Sequence, residues 1–300
     1  MTKNRRSGVR RLLRAAGLAA AVPIAMLIVV SSASAVEHHP KGEYAPFADC
    51  PLSNPGTEAC LLGKTESGEF VIGRERVPIS SIVTLQGGTH ETTGETEFIG
   101  AEDGNTLSKT PQKVPGGLAG LIRCNEISNL IERIACEVTF ENGLTGVTAT
   151  TELAAPASAI KINSNNLLSE VGVALSLPVK VHLENPLLGG SCYIGSNAHP
   201  IVIDLTTGST SPPPPNVSIK GSVGEVEVNE AITILTLRNN VLVNNSFAAP
   251  GVQGCGGLFA FLLDPIIDVK LGLPASAGHN TAILKGTLKE ANAPAVKESE

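Results

Sequence analysis

In the stretch VGVALSLPVKVHL, residues 171–183, every odd position is apolar: Val171, Val173, Leu175, Leu177, Val179, Val181 and Leu183. The even positions carry Gly, Ala, Ser, Pro, Lys and His. A period of two sends successive side chains to opposite faces, so the stretch reads as a half-buried β-strand. Pro178 has no amide hydrogen to give to a ladder, which puts the strand at a sheet edge or a bulge at that residue.

Shorter β-type runs lie on both sides of this strand. They occur at 70–72, 79–85, either side of the Asn142-Gly143 turn signal, 200–205, 217–219, 224–228, 232–237, 241–243 and 281–288. Turn residues recur between them roughly every eight to twelve positions, the pattern of an antiparallel sandwich or a partly open barrel. Apolar residues at 118, 121, 122, 127, 130, 131 and 134 follow helical spacing and predict a short helix over 126–135. The expected fold is therefore mainly β with two or three short helices. Residues 36–290 read as a single domain, with a loop-rich sub-region at 36–117, a rigid loop at Ser211–Pro215 and a flexible tail at 291–300.

The densest apolar run outside the N-terminus is CGGLFAFLLDPIIDVKLGLP, residues 255–274. Its longest uninterrupted part is far shorter than the twenty or so residues of a spanning helix. Asp264 suits a helix N-cap, Pro265 the first helical position and Gly272 the C-terminal cap. The expectation is two short helices joined at Asp264, with Leu258, Phe261, Leu262, Ile266 and Val269 turned onto a sheet as core.

At the N-terminus, six basic residues (Lys3, Arg5, Arg6, Arg10, Arg11, Arg14) precede an apolar zone that closes on Ala33-Ser34-Ala35. These are the three zones of a signal peptide, with cleavage expected after Ala35. Removal of 1–35 leaves 16 basic against 28 acidic residues, a formal charge of about −12. Nucleic acid and anionic membranes attract Lys and Arg, so the mature charge argues against both as partners. No stable membrane span is expected once the signal is gone.

Six cysteines follow the signal, at 50, 60, 124, 136, 192 and 255. An even count in an exported chain reads as a disulfide framework. Proximity suggests Cys50–Cys60 and Cys124–Cys136, and elimination leaves Cys192–Cys255. Zinc is disfavoured because no Cys-x-x-Cys pair occurs.

The runs FENGLTGV (140–147), ENPLLGGSCYIGS (184–196), TSPPPPN (210–216) and GCGGLFAFLLDPIIDVKLGLPASAGHNTA (254–282) carry a likeness. Through them the chain resembles secreted, β-rich, six-cysteine proteins of actinobacteria to which no activity is assigned. The resemblance implies export, a β-rich fold and paired cysteines, and supplies no reaction.

Chemistry-bearing residues do not assemble into a recognisable constellation, and no catalytic residue or cofactor is assigned. No Gly-x-Ser-x-Gly elbow is present, and Ser191, though Gly-flanked, adjoins Cys192 and reads as part of a disulfide-bearing turn. With no Trp and two Tyr, the aromatic platforms of sugar subsites are scarce. Glu225 and Glu227 alternate with valines as the solvated face of a strand. His90, His182, His199 and His279 read as solvated, and residues 101–105 (AEDGN) as a plain turn rather than a calcium loop. A chain beginning at Val36 would place a histidine third, so the Val36 amine, the amides of Glu37 and His38 and the His38 ring could form the nitrogen plane that Cu(II) prefers. The expected role is that of an exported, non-enzymatic structural or interaction protein with an extracellular or envelope partner. The alternative is a hydrolase or small-ligand-binding protein whose site is built from distant residues.

Overall fold

The structure, a computed structural model, describes residues 38–92, 96–119, 130, 131, 134 and 146–300. The expected signal segment, Val36, Glu37, the expected Cys124–Cys136 bond, most of the expected 126–135 helix and the expected Asn142-Gly143 turn lie outside the described residues.

Fourteen strands form one antiparallel sheet. In chain order they are β1 (Ala59–Ile72), β2 (Glu75–Pro78), β3 (Val83–Glu91), β4 (Thr96–Gly100), β5 (Gln112–Val114), β6 (Val147–Leu153) and β7 (Lys161–Ile162), then β8 (Leu175–Glu184), β9 (Tyr193–Ile194), β10 (Ile201–Leu205), β11 (Glu225–Val228), β12 (Ile234–Asn244), β13 (Val252–Gln253) and β14 (Thr281–Asn292). Helices α1 (Ser164–Ser169), α2 (Ala260–Leu271) and α3 (Ala293–Glu298) accompany them. The ladder runs β11-β12-β14-β1-β3-β4-β7-β8-β6-β5, and β10 pairs with β8. The curled sheet does not close. Just beyond β10, Thr206 meets Val243 of β12 in a single bridge, with the Thr206 amide donating at 3.0 Å and the Val243 amide at 2.9 Å.

The alternating stretch begins later than its pattern suggests. Leu175, Leu177, Val179, Val181 and Leu183 are buried on one face, but Val171 and Val173 precede the strand and are exposed. The expectation of an edge strand is overturned, because β8 is paired on both sides. β10 and β9 lie along one side, β7 and β6 along the other. Pro178 falls where the partner changes from β7 to β6, and its carbonyl accepts the Ala154 amide at 3.0 Å. In an extended strand the nitrogen and carbonyl of one residue point the same way, so the missing donor faces the gap between the two short partners.

The 36–117 segment is not loop-rich. It supplies β1 to β5, and β1 sits between β14 and β3 in the middle of the sheet. The polar run KTESGE hides this strand because its register shifts between Thr65 and Ser67, which breaks the alternation. Two glycines allow the close approach there. A Cβ on Gly286 would lie 1.8 Å from the Lys64 carbonyl oxygen, and one on Gly68 1.9 Å from that of Ile283. The runs at 232–237 and 241–243 merge into β12 through an irregularity at Asn239, whose φ is +56°. The run at 217–219 is not a strand; its neighbour Lys220 makes one bridge to Ser209.

The inner face of the sheet buries one mainly aliphatic core, including Leu61, Val179, Ile201 and Leu205 together with Phe98. A cavity of about 90 Å³ lies inside it, walled mainly by leucine, isoleucine and valine. Of its polar wall residues, Gln112 is fully engaged, accepting from the Ser80 and Ser81 amides and donating to the Ser81 and Thr110 carbonyls. On the outer face of β1, Cys60 and Leu62 join Phe47, Cys50, Ala291 and Val296 in a second core. Val296 is completely buried there, which overturns the flexible tail at 291–300. β14 extends to Asn292, whose side chain caps α3 by accepting the Ala295 amide, and the helix closes over the strand pair.

Among the described residues two disulfides are seen, Cys50–Cys60 and Cys192–Cys255, with Cα atoms 5.4 and 4.1 Å apart. Chain-entropy estimates give about 3 and 4 kcal/mol for loops of these lengths. Among the described residues no helix is long and apolar enough to cross a membrane.

Candidate functional site

Two places on the molecule gather unusual side chains. The first is on the outer face of β8, where the register aligns Thr150 with His182, Glu152 with Lys180 and Thr148 with Glu184. β9 on the other side places Tyr193 against His182. The two rings stack with centroids 4.4 Å apart at 15°, and the Lys180 ammonium lies 4.7 Å from the tyrosine centroid. Glu152 reaches Lys180 at 3.7 Å and His182 at 3.8 Å, while Glu184 lies 3.9 Å from the same His182 Nδ1. Thr148 and Thr150 donate their hydroxyls to Glu184 at 3.3 and 3.0 Å. Burial, and then the charges of Glu152 and Glu184, push the Tyr193 hydroxyl above its ordinary range.

His182 is therefore not the solvated residue its place on the polar face suggested, as only 15% of its side chain is exposed. The short strand β9, invisible as a pattern at two residues, brings the ring that covers it. The cluster borders an open depression of about 500 Å³ lined by Glu184, Asn185, Pro186 and glycines 146, 189 and 190. Chemically it holds an imidazole between two carboxylates, with one lysine offsetting their charge. A nucleophilic site needs a hydroxyl or thiol hydrogen-bonded to the base. Among the described residues no hydroxyl bonds to His182, and both nearby threonine hydroxyls are turned to Glu184.

The other residues singled out from the sequence are dispersed. Ser191 donates to the Gly254 carbonyl at 3.1 Å across the turn beside Cys192–Cys255. Glu225 and Glu227 are exposed on β11, and Glu227 pairs with Arg238 at 2.6 Å. His199 and His279 are exposed in turns, and His90 lies 3.3 Å from Glu58. In the 101–105 turn the Asp103 carboxylate accepts the Asn105 amide, as in an ordinary Asx turn. Of the proposed Cu(II) plane only His38 is described, and its Nδ1 is bonded to Glu300 at 2.6 Å. Among the described residues no group of three His, Cys, Asp or Glu has metal-holding geometry.

The second place is α2, and it reverses what the sequence led us to expect. One helix, with Pro265 inside it, replaces the expected pair. Gly272 does cap its end, with φ +70°. The residues assigned to the core point outward: Leu258 is 93% exposed, Phe261 79% and Val269 74%, and Phe259, Leu262 and Ile266 are exposed with them. Leu263, Ile267 and Leu271 are the residues that pack on the sheet. The reason lies in the two aspartates, which share the inner face with them. Asp264 accepts the Gly254 and Cys255 amides at 3.0 and 2.9 Å, and Asp268 accepts the Val252 amide at 2.7 Å. A carboxylate taking backbone amides is a strong, charge-assisted contact, and these three fix which side of α2 faces the body. The Cys192–Cys255 bond anchors the entry of the helix and the Arg74 amide holds its end through the Leu271 carbonyl.

Comparison of this chain with protein-family models, with curated proteins and with solved structures finds no match.

Proposed function

We propose that the protein is exported, loses residues 1–35, and works outside the cytoplasm as a non-enzymatic interaction module whose contact surface is the outward face of α2. The Cys50–Cys60 and Cys192–Cys255 disulfides suit an oxidising compartment. The observation that carries the reading is the row of six large apolar side chains on α2 and the turn that leads into it, exposed while the aspartates of the helix are turned inward. Exposed apolar patches of this kind mark sites of association. The His182 cluster supports the hydrolase alternative less well: no described hydroxyl is bonded to the imidazole, whose Nε2 is buried without a hydrogen-bond partner.

Fractionation of the producing cells tests this reading. Wild-type protein and His182→Ala should be found with the envelope, and Phe261→Asp/Ile266→Asp should pass into the medium as folded, disulfide-bonded protein. An α2 variant that fractionates like wild type would refute the contact role.

A further inference from the structure

This inference rests on the reading that α2 is the contact surface. We propose that its occupant is a lipid surface, on which α2 lies flat with Leu258, Phe259, Phe261, Leu262, Ile266 and Val269 at the boundary between head groups and acyl chains.

A helix side that presents only apolar residues belongs in a core or against an apolar surface such as a membrane. Core is excluded here by the hydrogen bonds of Asp264 and Asp268, which hold the other face to the body. At 12 residues α2 is about 18 Å long, too short to span a bilayer, so it lies on the surface instead of crossing.

The charges agree with this placement. Both acids of α2 are turned away from the apolar row. At the C-terminal end the exposed Arg74 donates to the Val269 carbonyl at 3.2 Å, and Lys270 adjoins it, with Glu75 as the acid facing that lysine. Cations at the edge of an apolar row match phosphate at head-group level. The six outward side chains carry no donor or acceptor, so they offer nothing to set the register of a protein partner, whose anchors are usually Tyr, Trp or Arg. A bilayer requires no register.

The chain has no tryptophan, so Phe261→Trp supplies a single fluorophore on the row. With phosphatidylcholine vesicles its emission should shift to the blue and be quenched by lipids brominated on the acyl chain. In co-sedimentation with the same vesicles, Leu258→Asp/Ile266→Asp should lower partitioning about tenfold or more, while Val217→Asp, at an exposed site elsewhere, leaves it unchanged. Unreduced thiol counts and circular dichroism check that each variant is folded. The inference fails if the Phe261→Trp emission ignores vesicles, if both variants lose binding equally, or if the shift follows protein concentration without vesicles, which would make a second copy the occupant. Should vesicles have no effect while α2 substitutions still release the protein from the envelope, the lipid assignment falls and the contact reading stands.

Discussion

The carboxylate of Asp264 accepts the backbone amide of Cys255 at 2.9 Å, so the residue that opens the apolar run by a disulfide also fixes the helix that follows it. The same carboxylate takes the Gly254 amide. Asp264→Ala leaves two amides without their acceptor and should destabilise the protein by about 2–4 kcal/mol, measured by urea denaturation. A loss below about 0.5 kcal/mol would mean that the orientation of α2 is set by something else.

Val296 tests the closure of the C-terminus on β1. It is fully buried beside Cys60 and Leu62, so Val296→Ala should cost about 2 kcal/mol, and deletion of 293–300 should cost more. Equal melting temperatures for the deletion and the full chain would restore the free tail.

Glu290 gives the fold a pH dependence. It is half-buried on β14, aligned with Leu61 and Leu235, and burial followed by the charge of Glu91 holds its carboxyl above the ordinary value of 4.5. The folded state then binds the proton more tightly than the unfolded one. Stability contributed by this group is full below about pH 4.5 and declines as pH rises through its raised folded value. Glu290→Gln should be more stable than wild type at neutral pH, with the difference vanishing near pH 4. Thermal melts of both proteins from pH 4 to 8 measure this, and parallel curves would contradict it.

How much of this was legible in the sequence depends on whether local pattern and tertiary demand coincide. At Leu175, Leu177 and Val179 they do, because one face of β8 is buried in the core while Ser176, Lys180 and His182 on the other are half-buried. The class of fold was legible from the spacing of short β-type runs and turns, and the Cys50–Cys60 and Cys192–Cys255 bonds from the even count and spacing of the cysteines. β1 was not, since glycines and a register shift replace alternation by backbone fit. In α2 the pattern misled, because burial was assigned by counting apolar residues, whereas the side facing the sheet is chosen by where Asp264 and Asp268 find amides. Those amides belong to 252, 254 and 255, just ahead of the helix, so an aspartate four residues before another in an apolar helix was the available signal. The His182–Tyr193 stack had none, for it depends on a two-residue strand.

The exposure of the outer row of α2 underlies every functional statement above, and tryptophan scanning in a chain without tryptophan reads it directly. Phe261→Trp should emit at long wavelength and be quenched by acrylamide in dilute buffer, whereas Ile267→Trp, on the side packed against the sheet, should emit to the blue and be shielded. The opposite ordering, with position 261 shielded and position 267 open to quencher, would contradict the outward orientation of the row.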